Sequence, residues 1–153
     1  METSKILTTT PDCEIVTTRV FNFPRLLVYR AWTEPEHLSK WWGPNGFTNT
    51  FHIHDLRVGG RWNFTMHGPD KGHYPNECTF AVIHEPELLV WDRQSKPIFQ
   101  VEVVFEVVAE DQTRVTFKQK FGTAEECNKL RKFVPDKNEE NMDRLEQELR
   151  KMK

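Results

Sequence analysis

The residues whose spacing could do chemistry are imidazoles. Four of the six histidines, His52, His54, His67 and His73, flank the glycine pair of DLRVGGRWNF, residues 55–64. His52 and His54 lie two apart in an alternating apolar and polar stretch, so on a strand they point to one face. His67 can join them from the neighbouring strand, and three imidazoles can hold zinc or copper. The same alternation puts that face in water, and neither a cysteine nor an inward carboxylate completes a shell. The reading is a solvated strand face without a metal. Gly59-Gly60 could cradle a phosphate only if it opened onto a helix N-terminus. It precedes another strand, and no Lys-Ser/Thr follows. It reads as a tight corner with positive φ, and Arg57 beside it as a structural partner for Asp55.

Nucleophilic chemistry finds little support. Ser4, Ser39 and Ser95 are the only serines, and none sits in a nucleophile elbow. Cys78 reads as a small inward apolar residue. Tyr74, Asn76 and Gln119 share inward parity and could orient a ligand or support acid–base work. No paired acid and base is in view, so no catalytic residue is assigned. The chain is rich in rings, with five Trp and eleven Phe. Phe51, Trp62, Phe64, Met66, Phe80, Trp91 and Phe117 share inward positions, as a packed core or as the wall of a ligand cavity.

These side chains need elements to position them. Residues 13–21 are β-branched and read as a strand. Two short helices are expected next, the first capped by Asn22 with Leu27, Val28, Ala31 and Trp32 on one face. The second opens on a Thr33–Glu36 capping box, buries Leu38 and Trp41, and stops at Gly43-Pro44. From 47 to 121 the period is two, over six strands with one wet and one buried face. On the buried face Phe47, Phe51 and Ile53 form one set, and Tyr74, Asn76, Cys78, Phe80 and Val82 another. On the wet face Glu106 is expected opposite Arg114, and Glu102 opposite Lys118. A helical segment over 124–133 precedes a longer helix from about Asp136. Met142, Leu145, Leu149 and Met152 form its apolar stripe, which is the natural cover for the sheet.

The totals bound the classes. The 153 residues fit one domain, with residues 1–12 as a flexible N-terminal tail and 13–153 as the folded unit. A formal net charge of −2 argues against nucleic acid as a partner. No apolar run reaches membrane-spanning length, and the N-terminus has no signal-peptide core. Cys13, Cys78 and Cys127 show neither zinc spacing nor a disulfide framework, so a cytoplasmic location is expected, with no cofactor.

The stretches RVFNFPRLLVYRAWTEPEHLSKWWGP, DLRVGGRWNFTMHGPD, EPELLVW, TRVTFKQKFGTAEE and MDRLEQEL run in an order that resembles the family of activators of the heat-shock protein 90 ATPase, of the C-terminal-domain type. That family falls within the START-like, SRPBCC superfamily of helix-grip folds. The resemblance covers roughly residues 13–150. It implies an α+β helix-grip fold, in which a curved antiparallel sheet of six to seven strands wraps a long C-terminal helix. It also implies a hydrophobic cavity between sheet and helix. On that basis the ligand-binding residues are Phe51, Trp62, Phe64, Met66, Tyr74, Asn76, Phe80, Trp91 and Phe117, with Met142, Leu145 and Leu149 closing the pocket. The expected function is non-enzymatic binding of a small hydrophobic or aromatic molecule. Two alternatives remain: a co-chaperone-like module acting on a heat-shock protein 90 homologue in the stress response, and a cyclase- or hydrolase-type enzyme using the same cavity. Relatives commonly carry Gly-Trp one turn ahead of the Leu-Asp that Met142-Asp143 replaces; here those positions are Lys137 and Asn138, which make that end polar. The eukaryotic activators also carry a second, N-terminal domain, which is not expected here.

Overall fold

β-Branched and aromatic runs build seven strands: β1 (Glu14–Phe21), β2 (Thr48–His54), β3 (Arg61–His67), β4 (His73–His84), β5 (Leu88–Arg93), β6 (Phe99–Ala109) and β7 (Gln112–Lys120). The computed structural model describes residues 5–153. The first four residues of the expected tail lie outside the described residues. Every neighbouring pair is antiparallel, in the order β1-β7-β6-β5-β4-β3-β2. Helices α1 (Arg25–Thr33) and α2 (Pro35–Trp41) carry the chain from one edge strand to the other, and α3 (Ala124–Arg131) and α4 (Val134–Met152) follow β7. Met142, Leu145 and Leu149 of α4 are fully buried in one cluster with Val28, Trp32, Leu38 and Trp41 of the short helices and the inward rings of β3 to β7. Burying such a side chain contributes about 1.5–3 kcal/mol, so the stripe on α4 fixes how that helix lies on the sheet. This is the α+β helix-grip arrangement, a curved antiparallel sheet around a C-terminal helix.

The glycine corner is as tight as its sequence implies. Gly59 has φ +85°, and a Cβ on Gly60 would fall 2.1 Å from the Asp55 carbonyl oxygen. Arg57 Nε donates to Asp55 Oδ2 at 2.8 Å. On the wet face Glu106 pairs with Arg114 and Glu102 with Lys118 in register. The charge on Glu102 goes diagonally, however, to the buried Lys120, 2.5 Å away. Residues 5–7 run along the outer face of the sheet. There Gln100 bonds both the Leu7 N–H and the Lys5 carbonyl at 2.8 Å, and Lys120 donates to the Leu7 carbonyl at 2.9 Å.

Local expectations fail at several places. Pro24, not Asn22, occupies the N-cap position of α1, with no side-chain cap, and Asn22 Oδ1 accepts from Gln112 Nε2 at 3.0 Å. Thr33 does not cap α2: it is the last residue of α1, and its hydroxyl donates back to the Tyr29 carbonyl at 2.9 Å. Glu34 is both the C-cap of α1 and the N-cap of α2, which leaves no room for the expected capping box. A register shift between Phe51 and Ile53 turns Ile53 outward and His54 inward. A second shift, between Phe80 and Val82, sends Val82 to the outer face, where it clusters with Ala81, Val90 and Ile6. One extra residue in a strand reverses the facing of all that follow it.

Candidate functional site

Alternation sends Phe64 and Met66 of β3, Trp91 of β5, Val101 of β6 and Phe117 of β7 to the gripped face of the sheet. Near the start of α4 they enclose a cavity of about 160 Å³, with Trp42 as a further wall. A cavity of about 150 Å³ suffices for benzene, whereas drug-sized ligands need about 300–1,000 Å³. The space therefore suits a single ring or a short chain. The rest of the grip is filled by rings. Trp42, in the loop after α2, lies 5.9 Å from Trp32, 5.6 Å from Trp41, 5.6 Å from Trp62, 5.8 Å from Trp91 and 6.1 Å from Phe117, centroid to centroid.

The loop carrying Trp42 is clamped by α4. Arg144 fans its guanidinium over five carbonyls: Nη1 reaches those of Trp42, Gly43 and Pro44 at 3.4, 2.8 and 2.9 Å, and Nη2 those of Lys40 and Phe47, both at 2.9 Å. Asn141 Oδ1 accepts the Gly43 N–H at 3.0 Å, and Glu140 accepts that of Asn45 at 3.0 Å. Gly43 adopts φ +103°, and a Cβ there would stand 2.8 Å from Met66 Cε. The positive φ is what calls for glycine there, because the Met66 methyl is the flexible end of its side chain and can give way.

The polar side of the cavity comes from α4 and from the ends of three strands. Asn138 Nδ2 donates to Gln119 Oε1 at 2.8 Å, and Asn76 Nδ2 to the Tyr74 carbonyl at 2.8 Å. Burial pushes the Cys78 thiol up to about 12, which removes it as a thiolate nucleophile near neutral pH. Arg93 follows Leu89 and Trp91 in inward parity and lines the cavity. Lys137 stands nearby at the rim. The lining thus offers amides, a thiol, a guanidinium and an ammonium, with no carboxylate or imidazole among the described residues.

The model of the family described as Activator of Hsp90 ATPase homolog 1-like protein matches residues 22–150, most of the chain. The chain belongs to that family. Solved structures agree on the fold. A crystal structure of a Nitrosomonas europaea protein is 21% identical, with a TM-score of 0.86 over 96% of this chain and 100% of that one. A solution structure from Arthrobacter aurescens is 23% identical, with a TM-score of 0.84 over 92% and 87%. The AHSA1 protein of Silicibacter pomeroyi is 17% identical, with a TM-score of 0.73 over 92% and 98%. No curated protein matches the sequence. No helix among the described residues is long and apolar enough to cross a membrane.

Within this family fold, the expected ligand residues divide. Phe64, Met66, Asn76, Trp91 and Phe117 line the cavity. Trp62 stacks behind Phe64 at 4.3 Å, with Phe51 and Phe80 beyond it. Tyr74 is 44% exposed at the hairpin end, where its hydroxyl donates to Asp70 at 2.7 Å. Met142, Leu145 and Leu149 pack farther along α4, so the helix meets the cavity through Lys137, Asn138 and Asn141 instead. Sequence reasoning missed Trp42, which follows the last periodic position of α2. It also missed Arg93, although the parity that turned Trp91 inward applies equally two residues on. The histidines do not converge. His52 bonds Thr65 at 2.9 Å, and His67 bonds Thr50 at 2.8 Å and His73 at 2.7 Å on the outer face. His54 lies on the opposite face, 5.8 Å from the Phe80 ring.

Proposed function

We propose that the chain is a non-enzymatic binding domain for a small, largely apolar molecule, held between the sheet and the start of α4. The observation that carries this is the ring-walled cavity of about 160 Å³. Among the described residues its lining lacks the paired acid and base that a hydrolase or cyclase needs, which supports binding over chemistry. Cys13, Cys78 and Cys127 are all free thiols, which suits a reducing compartment, and the reading is of a cytoplasmic domain. The test is an amide chemical-shift titration of the labelled protein with single-ring and short-chain compounds. Saturable shifts centred on Phe64, Trp91, Phe117 and Asn138 are expected. Silence across the whole panel would sink the reading. Family membership favours a second one, action on a heat-shock protein 90 homologue through the outer surface. An unchanged ATP turnover of the host's own chaperone at saturating protein would dispose of it.

A further inference from the structure

An arginine on the gripped face of a sheet calls for a partner. Arg93 is partly buried, and a charged side chain drawn even part-way out of water is usually paired. Among the described residues, no carboxylate lies within ion-pair range of Arg93. Its strand neighbour Asp92 is engaged elsewhere, with Oδ1 accepting from Gln100 Nε2 at 2.9 Å. The guanidinium stands 5.6 Å over the Phe99 ring. Two of its donors close the β5–β6 turn: Nε donates to the Pro97 carbonyl at 2.9 Å and Nη2 to the Lys96 carbonyl at 3.0 Å. A guanidinium has five N–H donors in a fixed plane. Those on Nη1, with the second on Nη2, remain, and together they form the edge that takes a planar carboxylate in two parallel hydrogen bonds.

The surroundings agree in sign. Lys137 is the other charged group of the lining, and the cavity presents two cations and no anion among its described residues. Lys137 Nζ is 3.8 Å from Glu140, with its side chain 57% exposed, so it belongs to the rim and Arg93 to the wall. Gln119 and Asn141 use their amide oxygens within the protein. This leaves their NH₂ groups for an oxygen acceptor. Opposite this polar side stand Phe64, Trp91 and Phe117. Burial lowers the pKa of Arg93, because a guanidinium half removed from water lacks the solvation that a counter-ion would replace.

We infer that the occupant of this cavity is a small carboxylate, an aryl or short alkyl acid. Its anionic head binds the free edge of Arg93, with Lys137 at the rim, and its apolar body lies among Phe64, Trp91 and Phe117. The inference rests on the small-ligand reading above and adds the charge and the size of the ligand. The volume admits one ring, and the two-point edge of Arg93 fits a planar acid.

Phenylacetate and phenylacetamide have nearly the same shape and differ in charge, so their affinities at pH 7 isolate the head group. Isothermal titration should show phenylacetate bound at least about tenfold tighter, the least that a charge-assisted pair is worth. In Arg93→Met the ratio should fall several-fold toward one, chiefly through lost phenylacetate affinity, and Arg93→Lys should restore part of the preference. A ratio near one in the unaltered protein, or a ratio that survives in R93M, overturns the carboxylate assignment and leaves the small-ligand reading standing. If the unaltered protein binds neither compound and no other member of the single-ring panel, both fall together.

Discussion

His54 shows how far one side chain can depart from its apparent role. It was expected to face water beside His52. It sits instead among Phe51, Trp62 and Phe80, and its Nε2 is buried with no hydrogen-bond partner among the described residues. Burial lowers its pKa, against smaller opposing effects of its own backbone and of Asp55. In the unfolded chain the imidazole takes a proton as the pH falls below about 6.5, while the folded one resists it. The unfolded state then binds more protons, so this contribution to stability is present above pH 6.5 and is lost as the pH drops toward the lowered folded value. Urea midpoints at pH 8 and pH 5.5 should therefore fall further for the wild type than for His54→Phe. Equal falls would show that His54 is not the source. The facing of His54 was not legible because the bulge before it leaves no signature in residue type. Up to Phe51, and along β3, β5 and β7, simple alternation sufficed, and with it the inward places of Phe64, Trp91 and Phe117; on β4 the shift after Phe80 defeated it at Val82 as the earlier one did at His54.

Among the elements, α4 does two jobs that its sequence states unequally. Its apolar stripe is plain at helical spacing, so the packing of Met142, Leu145 and Leu149 could be read directly. The clamp formed by Arg144 could not. Its acceptors are five backbone carbonyls of residues 40–47, about 100 positions away, and carbonyls have no residue identity. Hydrogen bonds to a charged group are worth about 1.5–3 kcal/mol, so Arg144→Met is expected to lower unfolding stability by about 2–3 kcal/mol. It should also speed amide exchange at residues 42–47 ahead of the strands. A variant that loses stability evenly, with no preferential exchange in that loop, would count against a clamp. The α1–α2 junction failed differently. TEPE has the letters of a capping box, but α1 extends through Thr33, and tertiary burial of that residue overrides the local pattern.

For the whole molecule, the abundance of rings announced a large apolar interior without saying how much of it was occupied. The answer depends on Trp42, which touches five other rings in the middle of the grip. Replacing it with Ala should cost about 3 kcal/mol, at the low end for a buried aromatic because Trp42 is only partly buried. It should also enlarge the space beside Phe117 and Trp91. The variant is expected to bind two-ring compounds such as naphthalene that the wild type excludes, measured by competition against a bound single-ring probe. Rejection of naphthalene by both proteins would mean that the neighbouring rings collapse into the gap. The fold was legible because its order of strands and helices is carried by periodicity. The cavity was legible only in part, because its volume is a difference between large numbers fixed by side-chain packing.

The sheet order has a consequence in time as well as space. β1 is an edge strand whose sole neighbour is β7, so Thr17 finds Phe117 opposite it, about 100 residues later in the chain. At about 5–20 residues per second of synthesis, β1 waits roughly 5–20 s for its partner. During that wait Ile15 and Phe21, buried in the finished fold, have no sheet to enter. The other strands meet neighbours adjacent in sequence and can pair as they emerge. The same closure that joins β1 to β7 thus makes the first-made strand of the sheet the last of the seven to be secured, and the nascent chain must be kept from other unpaired strands until β7 arrives.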